Sequence, residues 1–142
     1  MNLLAQFRRR LDSWRTPKTL GKRGEQAAER YLKKQGYIIV ARGQRDKLGE
    51  LDLVAVDGRT VVFVEVKTRK STIAGHPADA VDEAKQRRVT RLALSFLRRH
   101  ELLENKSRFD IISVLWPDAA KKPKIEHFIN AFEAIGQWQM FS

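Results

Sequence analysis

Residues 50–68 contain two short apolar, largely β-branched runs, Leu51 to Val56 and Val61 to Thr68, joined by Asp57-Gly58-Arg59-Thr60. Runs of this kind on either side of turn chemistry predict a β-hairpin. Charged residues interrupt both arms, with Glu50 and Asp52 in G-E-L-D-L-V and Glu65 and Lys67 in F-V-E-V-K. A turn of two residues places Val56 opposite Arg59, and one of four places it opposite Val61, which also sets Asp52 opposite Glu65. Either register gives the same faces, because side chains alternate with period two. Glu50, Asp52, Glu65 and Lys67 are then expected on one face near one end of the hairpin, with Val54, Val56 and Phe63 continuing that face. Leu51, Leu53, Val62, Val64 and Val66 are expected on the other.

Two carboxylates opposed across a strand pair, roughly 5 Å apart at Cβ, repel unless a cation or a shared proton intervenes. A hard divalent ion with oxygen ligands, Mg²⁺ or Mn²⁺, is the natural answer, with Asp52 and Glu65 as its ligands. Lys67, on the same face, is placed to hold a water or to stabilise charge on phosphorus. The plainer alternative is a cross-strand ion pair of Lys67 with Glu50 or Asp52. What favours the site is the conjunction of acids, apolar surroundings and a cationic chain.

That cationic character is pronounced. The 142 residues carry 28 Lys plus Arg against 17 Asp plus Glu, a net charge of +11, with no cysteine. A polyanion is the expected partner. The missing cysteines exclude a disulfide framework, a Cys-ligated zinc module and a thiol nucleophile, and fit a cytoplasmic location. No apolar run approaches the roughly 20 residues of a spanning helix, and Arg8 to Arg10 follow the short apolar start where a secretion signal carries its charge first.

Between Arg8 and Arg23 seven cations face Asp12 alone, a net +6. Residues 1–20 are therefore read as a basic N-terminal arm, 21–132 as the folded domain and 133–142 as an apolar tail. Within the domain, Ala27, Ala28, Tyr31 and Leu32 have helical spacing, closed by Gly36. Tyr37 to Ala41 reads as a short strand. Val81, Lys85, Val89, Leu92 and Phe96 mark a longer helix to about His100, and Phe109 to Leu115 and Ile125 to Phe132 read as further strands. The order helix, three strands, helix, two strands predicts an α/β fold, a mixed central sheet flanked by helices.

Lys85 interrupts the apolar stripe of the second helix and should point toward the sheet, either to a phosphate or snorkelling past the helix edge. Arg88 belongs to the cationic stripe of that helix, and Arg69 follows the Lys67 strand. Lys22 and Arg23, in G-K-R-G, can meet a phosphate at the start of the first helix. These five are the nucleic-acid-binding candidates. His76, His100 and His127 lack metal-ligand spacing, and loop or surface roles are expected of them. Asp110 is expected to pair with Arg108 or with a helix N-terminus, a catalytic role being the lesser alternative. No P-loop, dinucleotide-binding glycine pattern or G-x-S-x-G elbow is present.

The run G-K-R-G-E-Q-A-A-E-R-Y-L, followed by G-E-L-D-L-V, F-V-E-V-K-T-R, R-F-D and I-N-A-F, resembles the YraN family of small bacterial proteins over Gly21 to Phe132. That family is regarded as endonuclease-related and is similar to archaeal Holliday-junction resolvases. The resemblance implies a restriction-endonuclease-like fold whose D…E-x-K signature falls on Asp52, Glu65 and Lys67. It also implies that Glu25 is the first-helix acid resolvases use as a further metal ligand, although a carboxylate there also complements the helix dipole. Glu50 is an auxiliary candidate. Together these readings predict a Mg²⁺-dependent endonuclease acting on DNA, with branched DNA a candidate substrate and DNA favoured over RNA. The alternatives are a catalytically silent DNA- or RNA-binding module of the same fold, and an adaptor docking a protein partner through the arm or the tail. Resolvases of this type are dimers, so a homodimer through the apolar tail (Ile135, Trp138, Phe141) is a candidate assembly.

Overall fold

The computed structural model of the chain describes residues 19–71, 75 and 81–135. Most of the basic arm, His76 and the tail beyond Ile135 lie outside these residues.

Helix α1 spans Leu20–Lys34. Thr19 caps it, its hydroxyl accepting the Lys22 amide at 3.1 Å, and G-K-R-G therefore lies inside the first turns. Gln35 ends the helix, and Gly36 follows at φ +94°, a conformation that side-chain-bearing residues rarely adopt. Three strands come next: β1 (Ile38–Asp46), β2 (Gly49–Asp57) and β3 (Thr60–Arg69). Helix α2 (Glu83–Arg99), capped by Asp82, crosses to β4 (Ser107–Leu115), and β5 (Lys124–Phe132) returns antiparallel. The sheet order is β1-β2-β3-β4-β5, with only the β3–β4 pair parallel. This is the α/β order expected, a mixed five-stranded sheet with two helices.

Alternating residues feed two separate cores. Leu53, Ala55, Val62, Val64, Ile112 and Val114 pack with Ala27, Ala28 and Leu32 of α1. Val54, Val61, Phe63 and Phe109 pack with Val89, Leu92, Ala93, Phe96 and Leu97 of α2. Side chains such as Leu32, Leu53, Phe63 and Phe96 are fully buried, each contributing roughly 1.5–3 kcal/mol.

Three expectations need correction. β1 runs to Asp46, well past Ala41, because an edge strand tolerates charged residues such as Arg42 and Arg45. Leu51 joins the α2 core with Val54, so alternation breaks between them and Leu51 does not share a face with Leu53. His127 has a side chain only 5% exposed, where a surface role was expected. Its Nε2 lies 2.7 Å from the fully buried Asp110 carboxylate, which also accepts Arg108 Nε at 3.0 Å and the Asn130 amide at 2.9 Å. Arg108 donates further to Asp57 (3.1 Å) and to the Tyr37 hydroxyl (2.7 Å). Burial raises the Asp110 pKa, but its bonds from His127, Arg108 and Asn130 outweigh that and hold it below the ordinary carboxylate value. His100 ends α2, its ring 4.4 Å from that of Phe96.

Candidate active site

The hairpin register is Val56 opposite Val61, with Asp57 opposite Thr60. The β2–β3 ladder then stops at Leu53 and Val64, while β2 stays paired with β1 through Gln44–Leu51 and Arg45–Glu50. The two strands part where Asp52 and Glu65 follow. Asp52 Oδ2 accepts the Val66 amide at 2.9 Å, so a side chain satisfies a donor that the ladder leaves.

Glu25 arrives from the first turns of α1. A Cβ added at Gly24 would stand 1.8 Å from Thr68 Oγ1, so only glycine lets α1 lie this close to β3. Carboxylate oxygens of Glu25, Glu50 and Asp52 consequently lie within 4.8 Å of one another. Glu65 stands beside this trio, its Oε1 held by Lys85 Nζ at 2.5 Å and Lys67 Nζ at 3.4 Å. Lys85 thus reaches from α2 to the acidic corner. Of the ligands expected, Asp52 and Glu25 come together with the auxiliary Glu50, and Glu65 stands next to them in hydrogen-bond contact with Asp52.

The electrostatics follow from crowding. Burial and the Glu65 charge push the Asp52 pKa up to about 8, with Glu25 adding to the effect and the Val66 amide opposing it. Burial also raises Glu25, against the pull of Lys22 at 3.3 Å. Glu50 holds Arg45 at 2.8 Å. Of the two lysines on Glu65, Lys67 is lowered by burial and by Lys85. Lys85 is raised despite burial, because its bonds to Glu65 and Lys67 prevail. All three donors are carboxylate oxygens, a set that fits a hard divalent cation such as Mg²⁺ or Mn²⁺ and not a soft one.

The remaining cationic candidates separate. Lys22 turns to Glu25, Arg69 donates to the Gly75 carbonyl at 2.7 Å, and the exposed Arg88 lies over Gly49 at the rim of the corner. Arg23 sits over the indole of Trp116, 4.2 Å from its ring centroid. Two participants were not anticipated from the sequence. Arg45 could have been found from the D-K-L-G turn before Glu50, whereas Trp116 reaches Arg23 only through the fold.

The model of "Uncharacterised protein family UPF0102" matches residues 24–114. The chain belongs to the UPF0102 family. A UPF0102 protein of Rhodopirellula baltica is 48% identical over 120 residues, covering 82% of this chain and 72% of that protein. Another, from Geobacter sulfurreducens, is 48% identical over 118 residues, covering 82% and 90% respectively. An Arthrobacter relative is 49% identical over 108 residues, 76% and 91%. The span matched by the UPF0102 model includes all four acids of the corner with Lys67 and Lys85; Lys22, Arg23 and Trp116 fall outside it. Among the described residues no helix is long and apolar enough to cross a membrane.

Proposed function

We propose that this UPF0102 chain is a Mg²⁺- or Mn²⁺-dependent endonuclease that hydrolyses phosphodiester bonds in DNA. The observation that carries the reading is the carboxylate trio of Glu25, Glu50 and Asp52 beside Glu65, Lys67 and Lys85. Such crowding costs stability unless a cation occupies it, and perturbed acids grouped at a cleft are a common mark of function. A bound divalent ion supplies Lewis acidity toward a phosphate and eases deprotonation of water.

The chain's own groups divide the remaining work. Glu25, Glu50 and Asp52 hold the ion, and Glu65 holds the two lysines in place. Lys67, held beside the trio by Glu65, orients the attacking water by donating to it from Nζ. Lys85 stays charged and stabilises negative charge developing on phosphorus. Lys22, Arg23, Arg69 and Arg88 supply phosphate contacts around the corner. The net +11 supports a nucleic-acid substrate.

The test is Mg²⁺-dependent cleavage of single-stranded, duplex and branched DNA by wild type and Glu65→Gln. Cleavage by the wild type and its loss in the variant are expected; no cleavage by either sinks the enzymatic reading. A second reading, a DNA- or RNA-binding module without turnover, is favoured by the ion pair that Lys85 makes with Glu65. It predicts metal-independent, steeply salt-dependent binding that survives Glu65→Gln.

A further inference from the structure

At the N-terminal end of α1, the helix that also carries Glu25, lies a recess of about 400 Å³ whose lining includes Leu20, Arg23, Lys70, Trp116, Pro117 and Asp118. Its wall is fixed. The Trp116 amide donates to the Arg69 carbonyl at 2.7 Å and its Nε1 to the Ala120 carbonyl at 3.0 Å, which locks the ring. The exposed Arg23 guanidinium sits over that ring at 4.2 Å. A guanidinium held on an indole presents its second face to a nucleobase and its edge to a phosphate. Lys70 adds a second cation. Its pairing with Asp118 at 3.2 Å is solvent-exposed on both sides, a contact of small worth that a phosphate can replace.

We infer that this recess binds one unpaired nucleotide of the substrate strand, its base stacked on the Arg23–Trp116 pair and its phosphate held by Arg23 and Lys70. The inference rests on the nuclease reading for its choice of strand. Lys70 stands three residues beyond Lys67, roughly 10 Å along an extended chain, and Arg23 two residues before Glu25. An unpaired strand extends further per nucleotide than the roughly 3.4 Å of a duplex, so the bound unit lies about two nucleotides from the bond that is cut. The volume suits one mononucleotide-sized group. A base within a duplex is stacked on both faces and cannot enter, so the strand must be unpaired beside the cleavage point. Substrates with a tail, flap, gap or open junction are selected over blunt duplex.

The test measures binding in EDTA, where no turnover occurs, using a blunt duplex, the same duplex with a short single-stranded tail, and that tail made abasic at its second and third positions. The tail is expected to strengthen binding by the wild type roughly tenfold. Removing the bases, or Arg23→Lys, should each abolish that gain, and the two together should lose nothing more. Blunt-duplex affinity serves as the reference in each protein, so that any phosphate contact made by Arg23 cancels and only the gain from the tail is read. Equal binding of intact and abasic tails overturns the inference with no change to the protein at all. So does an Arg23→Lys variant that weakens blunt and tailed duplex alike, which makes Arg23 an ordinary phosphate contact. If the wild type binds none of the three at low salt, the nucleic-acid reading itself fails as well, whereas tail-independent binding with Mg²⁺-dependent cleavage removes only the recess.

Discussion

Asp52 accepts the Val66 amide at 2.9 Å, a bond across 14 residues of sequence that stands where β2 lets go of β3. The same carboxylate meets the Glu65 charge, and its pKa is moved from an ordinary 3.8 to about 8. Between those values the folded form holds a proton that the unfolded chain releases. This contribution to stability is therefore fully present below about pH 4 and is lost as pH rises through about 8. Asp52→Asn keeps an oxygen for the Val66 amide and removes the charge. In EDTA at pH 8 to 9 it should be more stable than wild type, on the order of 1–3 kcal/mol by urea denaturation, with the difference narrowing as pH falls toward about 4. Equal midpoints at both pH values would refute the assigned repulsion.

Metal should act on the same imbalance from the other side. Mg²⁺ or Mn²⁺ is expected to raise the melting temperature of the wild type by several degrees at pH 8 and by less at pH 5.5, where protons compete for the same oxygens. Asp52→Asn and Glu50→Gln should lose this shift. Glu65→Gln should keep most of it, since Glu65 stands outside the carboxylate trio and is engaged by Lys85 and Lys67. A shift that disappears in Glu65→Gln and persists in Glu50→Gln would exchange their roles.

At Gly24 the expected effect is steric. Alanine is the better helix former by about 1 kcal/mol, yet its Cβ would meet Thr68 Oγ1 at 1.8 Å and Cγ2 at 2.7 Å. Gly24→Ala should destabilise by about 1–3 kcal/mol net in chemical denaturation. Thr68→Ala in the same chain should recover only part of the loss, because Thr68 Cβ still stands at 2.8 Å. A neutral Gly24→Ala would contradict this packing.

Asp110 separates structure from chemistry. Its replacement by alanine removes the acceptor shared by His127 and the Asn130 amide and leaves Arg108 only Asp57 and the Tyr37 hydroxyl. A loss of about 3–5 kcal/mol is expected, on the order of 10 °C in melting temperature. Divalent-cation stabilisation and DNA binding by the folded fraction should be unchanged. Their loss in protein that remains folded would tie this network to the site.

Much of the site was legible because strand periodicity is a strong constraint. Apolar runs around Asp57 to Thr60 sufficed to place Asp52 and Glu65 together, and the break in the second apolar stripe at Lys85 sufficed to aim it at the sheet. What escaped notice has a common physical origin. β1 extends through polar residues because an edge strand needs pairing on one side only. Leu51 abandons alternation because the ladder has ended beside it, and this brings Glu50 into the acid trio. His127 hides in an I-E-H-F-I run whose pattern gives no sign of a carboxylate 17 residues away.

The two ends of α1 have different fastenings. At one, Gly24 is pressed against Thr68. Just past the other, Tyr37 is bound to Arg108, which is itself tied to Asp57 and Asp110. A helix clamped in this way has no free end with which to swing Glu25 clear of its neighbours. Relief of the crowded charge must come from a mobile species, a proton or a cation exchanging with solvent, and the occupancy of the corner becomes a gauge of the surrounding solution.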